Sequence, residues 1–330
     1  MITQTNHTSV LGMIISCGTV RRWRACVAFL ITLLLLPGAR VRADVRVSVR
    51  ESSWSVGREP TELETLVTTY VKGRMRRVEN EIAGAPNDSL VRAGRYVQID
   101  RLDRDSSYFF RPAEQAYVTL PLADVRTSNT RQADALRGAR AAGTAPRDTL
   151  APVRVLELGT ARTILGESCR GYVVELVFTF TDSTASAGSV LTGLLSDTLW
   201  MAGANSAAAD LRRFEREFSH ATLADSFLAA ANAVQLSMVR GQGLVAVIQR
   251  AIRAVPGYPL ESHFVNLLHG MPEGMQGVER LPDGAVVVQR TRRQAIGLSP
   301  MPIAADMFEV PAGYRRVERG GRTQKVGQAP

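Results

Sequence analysis

The chain has 330 residues, 45% hydrophobic and 22% charged, enough to build one large or two ordinary cores. Its formal charge of +9 does not mark a nucleic-acid binder. Residues 1–43 hold five arginines (Arg21, Arg22, Arg24, Arg40, Arg42) and no acid, and beyond them the arginines interleave with Asp and Glu. The two basic clusters, Arg74-Met75-Arg76-Arg77 and Arg290-Thr291-Arg292-Arg293, lie in strand-like runs without a recognition motif, so no nucleic acid is expected as a partner.

Residues 21–43 have the three parts of a secretory signal. Arg21 to Arg24 is basic, Ala25 to Leu36 is apolar but short for a bilayer span, and Pro37-Gly38 breaks the helix ahead of Val41-Arg42-Ala43. Residues 1–43 are therefore read as a signal peptide with an upstream extension, cleaved after Ala43. The mature protein is expected in the periplasm or secreted, peripheral to a membrane at most. Cleavage removes Cys17 and Cys26, which leaves Cys169 without an intramolecular partner and fit for a small buried hydrophobe.

From Asp44 the pattern is strand after strand. Val45, Val47 and Val49 alternate with polar residues, and Leu63–Val71 and Arg74–Ile82 form a hairpin about Lys72-Gly73. Tyr96–Asp100, Ser107–Phe110 and Ala116–Leu120 continue an antiparallel meander. Asp100, Asp103 and Asp105 alternate with Arg101 and Arg104, which reads as a turn of compensated charges. Residues 126–152, rich in Ala, Arg, Thr and Gly, read as a flexible insertion. Strands then run from Val153 to Ile164 and from Cys169 to Phe180, reversing at Gly166, with Gly171 leaving room for a close approach. A small insertion at 182–193 precedes a strand over Asp197–Met201.

Helices follow. Leu211, Phe214 and Phe218 share one face, and Thr222-Leu223-Ala224-Asp225 resembles a capping box for a second helix through Val234. A third carries Leu244, Val247, Ile248, Ala251, Ile252 and Val255 as one apolar stripe and stops at Pro256-Gly257. Strands return at Leu260–Leu268, Gln276–Leu281, Ala285–Thr291 and Phe308–Val310, with a hairpin turn at Asp283-Gly284, before a disordered tail at 319–330. The domain thus spans 44–318.

Catalytic motifs are weak. Gly166-Glu167-Ser168-Cys169-Arg170 has Arg170 where a nucleophile elbow needs glycine, and Gly241 to Ala246 matches G-x-G-x-x-A outside any βαβ unit. Three histidines beyond the leader, His220, His263 and His269, lack metal-ligand spacing. No metal, cofactor or catalytic residue is assigned.

Several segments together resemble a family of secreted bacterial proteins catalogued as domain of unknown function 4412. They are Tyr70–Arg76, Thr163–Tyr172, Leu199-Trp200-Met201 ahead of Phe214 and Phe218, Gly257–Leu260 and Phe308–Tyr314. Glu167 stands where that family more often has an aromatic. The family in turn resembles, more distantly, periplasmic lipoprotein carriers. The resemblance implies an α+β fold in which a curved antiparallel sheet forms an open half-barrel with two to three helices on its concave face.

The function expected is non-enzymatic binding of a hydrophobic ligand, a lipid or lipidated peptide, with Leu244, Val247, Ile248, Ala251, Ile252 and Val255 as groove candidates. The alternatives are a structural envelope protein with a self-filled groove and a hydrolase with an unrecognised site. N-terminal sequencing of the exported protein should begin at Asp44; an intact N-terminus on cytoplasmic protein overturns the leader assignment.

Overall fold

A computed structural model of the chain describes residues 44–55, 63–83, 95–141, 149–150, 152–181, 190–204, 206–223, 248, 250–271 and 278–318. The expected leader, the helix to Val234, the glycine motif at 241–246 and the tail lie outside these residues. Among them, alternation of apolar and polar residues produces β1 (Val45–Ser55), β2 (Leu63–Lys72), β3 (Met75–Ala83), β4 (Arg95–Arg101), β5 (Ser106–Arg111) and β6 (Ala116–Pro121). Helix α1 (Leu122–Ala141) follows, then β7 (Thr149–Leu150), β8 (Arg154–Ile164), β9 (Glu167–Thr181) and β10 (Val190–Ala202). Helix α2 (Ala209–Thr222) leads towards β11 (Tyr258–His269), β12 (Glu279–Arg280), β13 (Val286–Pro300) and β14 (Arg315–Arg316).

All fourteen strands belong to one sheet, whose main path runs β14-β6-β5-β4-β3-β2-β1-β13-β11-β10-β9-β7, with β8 beside β9 and β12 beside β13. Pairing is antiparallel except between β14 and β6. The path does not close on itself, and the sheet is a curved, open one, as the half-barrel expectation requires. The packing shows why it must curve. Seven strand steps separate β4 from β9, roughly 34 Å across a flat sheet. Yet Leu102, just after β4, and Cys169 in β9 belong to one buried cluster around Leu211, Phe214 and Phe218 of α2. Register shifts at Ser48/Val49, Trp200/Met201 and Asn266/Leu267 supply local bends.

The β8–β9 hairpin turns on Leu165 (φ 52°) and Gly166 (φ 83°), the double positive φ of a tight hairpin turn. Gly171 permits close approach: a Cβ there would lie 2.9 Å from Leu158 and 3.1 Å from Trp200. Glu167 accepts a hydrogen bond from the Ala207 N–H at 2.9 Å, tying this hairpin to the approach to α2.

Three expectations need correction. Residues 126–141 of the expected insertion are helical, as part of α1. The described buried positions on α1 are Leu122, Val125 and Asn129. Asn129 takes an apolar place in the stripe because its Nδ2 donates to the Thr222 carbonyl at 2.8 Å, so periodicity alone hid the helix. Second, Phe308 lies in a 3-10 turn (Ala305–Phe308), not a strand. Its ring is buried with Val97, Ile99, Phe110 and Ile303, while Glu309 binds Arg101 and Arg104 at 2.6 and 2.7 Å. Third, Thr222 is the last residue of α2, where its hydroxyl donates to the Phe218 carbonyl; the helix expected beyond it lies outside the described residues. The charge compensation expected within the turn is present in part: Arg101 pairs with Asp103, while Arg76 and Arg126 from outside it pair with Asp100 and Asp105, and Arg104 pairs with Glu309.

Cys169 is fully buried, and burial raises its thiol pKa. Cys169→Ala should fold and lose on the order of 1 kcal/mol in denaturant titrations. Rapid labelling of the native protein by a thiol reagent would contradict this placement.

Candidate functional site

Inward-facing residues are identified by packing and register. Val45, Val47 and Val49 of β1 pack with α2, and the same parity continues through Glu51, Ser53 and Ser55. Cross-strand pairing extends these positions into rows. One row runs Glu51, Arg293, Ser262, Leu199, Tyr172; the next Ser53, Thr291, Phe264, Asp197, Val174; the third Ser55, Gln289, Asn266, Leu195, Leu176. The face is thus polar over β1 and β13 and apolar over β9 and β10, apart from Asp197.

The apolar side is covered by the stripe expected from sequence. Residues 248 and 250–254 are helical. Ile248 and Val255 are each 3% exposed, and with Ala251 and Ile252 they pack against Val174, Leu176, Leu195, Leu199, Leu268 and Val288. Four of the six candidates are therefore brought together on the sheet; Leu244 and Val247 lie outside the described residues. The segment stops at Pro256-Gly257, where Gly257 has φ 100°. Arg212 of α2 donates from Nη2 to the carbonyls of Arg253 and Val255, so one guanidinium joins the two helices. Burial lowers its pKa, with Glu215 opposing.

Polar groups in this face were not singled out from sequence. Arg293 bonds Glu51 at 3.1 Å; its side chain is 47% exposed, yet burial among protein atoms is its largest electrostatic influence. That burial works to lower its pKa, and Glu51, Tyr258, Glu215 and Asp197 overcome it, so the net shift is upward. Tyr96 is 46% exposed and its pKa is raised first by desolvation and then by Glu51. Both side chains keep solvent contact while neighbouring protein atoms desolvate them.

Asp197 is 7% exposed and sits opposite Val174 and Phe264. Burial pushes its carboxyl up to about 7, against opposing contributions from Arg293 and a His263 backbone hydrogen bond. Asn266 is fully buried. Both had a legible signal. In Leu195-Ser196-Asp197-Thr198-Leu199 and Phe264-Val265-Asn266-Leu267-Leu268 a polar residue holds the buried parity of an alternating strand.

On the opposite face, Glu261 is 3% exposed, forms an ion pair with Arg162 at 3.0 Å and shares a hydrogen bond with His263 at 2.8 Å. No group of three or more metal-ligating side chains occurs among the described residues, and no described helix is long and apolar enough to cross a membrane.

No family model matches the chain, and no curated protein does. Among solved structures it is similar to a LolA-superfamily protein from Nitrosomonas europaea, at 11% identity and a TM-score of 0.24, covering 82% of this chain and 91% of that one. It is also similar to a DUF1329-family protein from Desulfovibrio piger, at 10% identity and a TM-score of 0.24, covering 87% and 96%. At these scores the architecture stands on the strand order and packing of the chain itself.

The raised Asp197 carboxyl has a consequence for stability. Between pH ~4 and ~7 the unfolded chain releases this proton while the folded one keeps it, so stability falls as pH rises. Asp197→Asn should remove that fall. Between pH 4 and 8 wild type should lose up to about 4 kcal/mol relative to the variant in urea titrations. Identical pH dependence in both proteins would contradict the assignment.

Proposed function

We propose that the protein is a non-enzymatic component of the cell envelope, exported to the periplasm or beyond, whose concave groove holds a hydrophobic ligand such as a lipid or lipidated peptide. The observation that carries this reading is the coexistence of an apolar wall, where Ile248, Ala251, Ile252 and Val255 meet β9 to β11, with a wetted sector marked by Arg293 and Tyr96. A groove with those two properties suits an extended amphiphile. Burying an acyl chain contributes up to about 0.8 kcal/mol per methylene, reduced by lost chain freedom. The reading assigns no catalytic residue and no cofactor.

A second reading, a structural envelope protein with its groove filled by its own helix, draws on the near-complete burial of Ile248 and Val255. Organic extraction of protein purified from an envelope fraction separates the two. The carrier reading expects a stoichiometric apolar compound in the extract, with a lower yield per folded molecule from Ile248→Asp. An empty extract from folded wild-type protein favours the self-filled groove.

A further inference from the structure

Two polar side chains on the concave face have no visible task in the fold. Neither the Oδ1 nor the Nδ2 of Asn266 has a hydrogen-bond partner among the described residues, and neither does the Oδ1 of Asp197. Asn266 is fully buried and Asp197 is 7% exposed. Stability alone does not account for them, because a buried amide without partners is worse than an apolar side chain of similar size. The register makes them neighbours: Asp197 lies opposite Phe264 and Leu195 opposite Asn266, which sets the two side chains diagonally on adjacent strands. Leu195, Leu199, Phe264 and Leu268 flank them on β10 and β11, and the buried Gln289 of β13 lies directly opposite Asn266.

We propose that Asn266 and Asp197 form a polar subsite within the groove that takes an uncharged amide carried on an acyl chain. The inference rests on the ligand-binding reading given above. The chemistry follows from which atoms are orphaned. Asn266 leaves one donor and one acceptor open and Asp197 adds an oxygen, so a ligand amide satisfies the site with its carbonyl on Asn266 Nδ2 and its N–H on Asn266 Oδ1 or Asp197 Oδ1. An ester lacks the donor. A carboxylate lacks it too and would face Asp197, while the nearest cation, Arg293, already bonds Glu51 at 3.1 Å.

Calorimetric titration of the delipidated full chain with dodecanamide, methyl dodecanoate and dodecanoate tests this. Wild type should bind the amide about tenfold more tightly than the ester, the scale of one or two satisfied buried hydrogen bonds, and the carboxylate most weakly. Asn266→Leu and Asp197→Leu should shrink the amide preference, the amide losing more affinity than the ester. Equal affinity for amide and ester in wild type overturns the subsite and leaves the groove reading standing, with water serving the orphaned atoms. An amide preference that survives both substitutions overturns the assignment to these residues. Binding of none of the three probes overturns the groove reading itself.

Discussion

The sheet is held in its curve by the packing of its inner face around two stacked rings. Phe214 and Phe218 of α2 lie 6.0 Å apart, and the Arg76 guanidinium sits over both, 5.1 and 4.8 Å from their centroids. Arg76 is held from behind by Asp100, at 2.7 Å. Asp100 is fully buried and also accepts hydrogen bonds from Ser107 at 2.6 Å and Gln98 at 2.8 Å. A carboxylate shared in this way fixes the cation, and the cation fixes the rings against β3. On their other side the same cluster reaches Cys169, Ala202 and Tyr258. Flattening the sheet would strip α2 of one wall and return the buried rings to water.

That arrangement also decides which part of the inner face the described helices leave uncovered. α1 and α2 occupy the inner face near the start of β1, and the 248–255 segment occupies β9 to β11. Between them lie Glu51, Ser53, Thr291 and Arg293, belonging to neither cluster. These residues are small, or paired with each other, and none is a large apolar side chain seeking cover. The sector can therefore stay wet without exposing an aggregation-prone surface.

Much of this was legible in the sequence, and the exceptions have identifiable causes. Period-two runs such as Val45-x-Val47-x-Val49, the turns at Gly73, Gly166 and Asp283-Gly284, and the stripe of Leu211, Phe214 and Phe218 all point to the elements that form. Helix α1 was missed because Asn129 interrupts its apolar spacing, and that residue has meaning only beside the Thr222 carbonyl. Phe308-Glu309-Val310 has strand-like composition, yet long-range partners decide its shape: an aromatic cluster for the ring and two arginines for the carboxylate. Of the candidate site, the described part of the covering stripe was readable from helical spacing. The polar centre required the register, since no local pattern reveals that Asp197 and Asn266 are neighbours.

The position of β1 has a further consequence, for the order in which the chain assembles. β1 is an interior strand, paired with β2 on one side and with β13 on the other, so Val45 lies opposite Pro300. β1 to β6 follow one another as a meander of local contacts and can form while the ribosome is still at work. The seam to the second half has very high contact order and must wait until nearly the whole polypeptide exists. Until β13 docks, the outer edge of β1 is an open template for another chain's strand. The charges along it, Arg46 and Arg50 against Glu51, interrupt an otherwise valine-rich edge and make it a poor seed for that pairing. The first described strand to emerge thus stays open on one side until β13, near the far end of the chain, has been made.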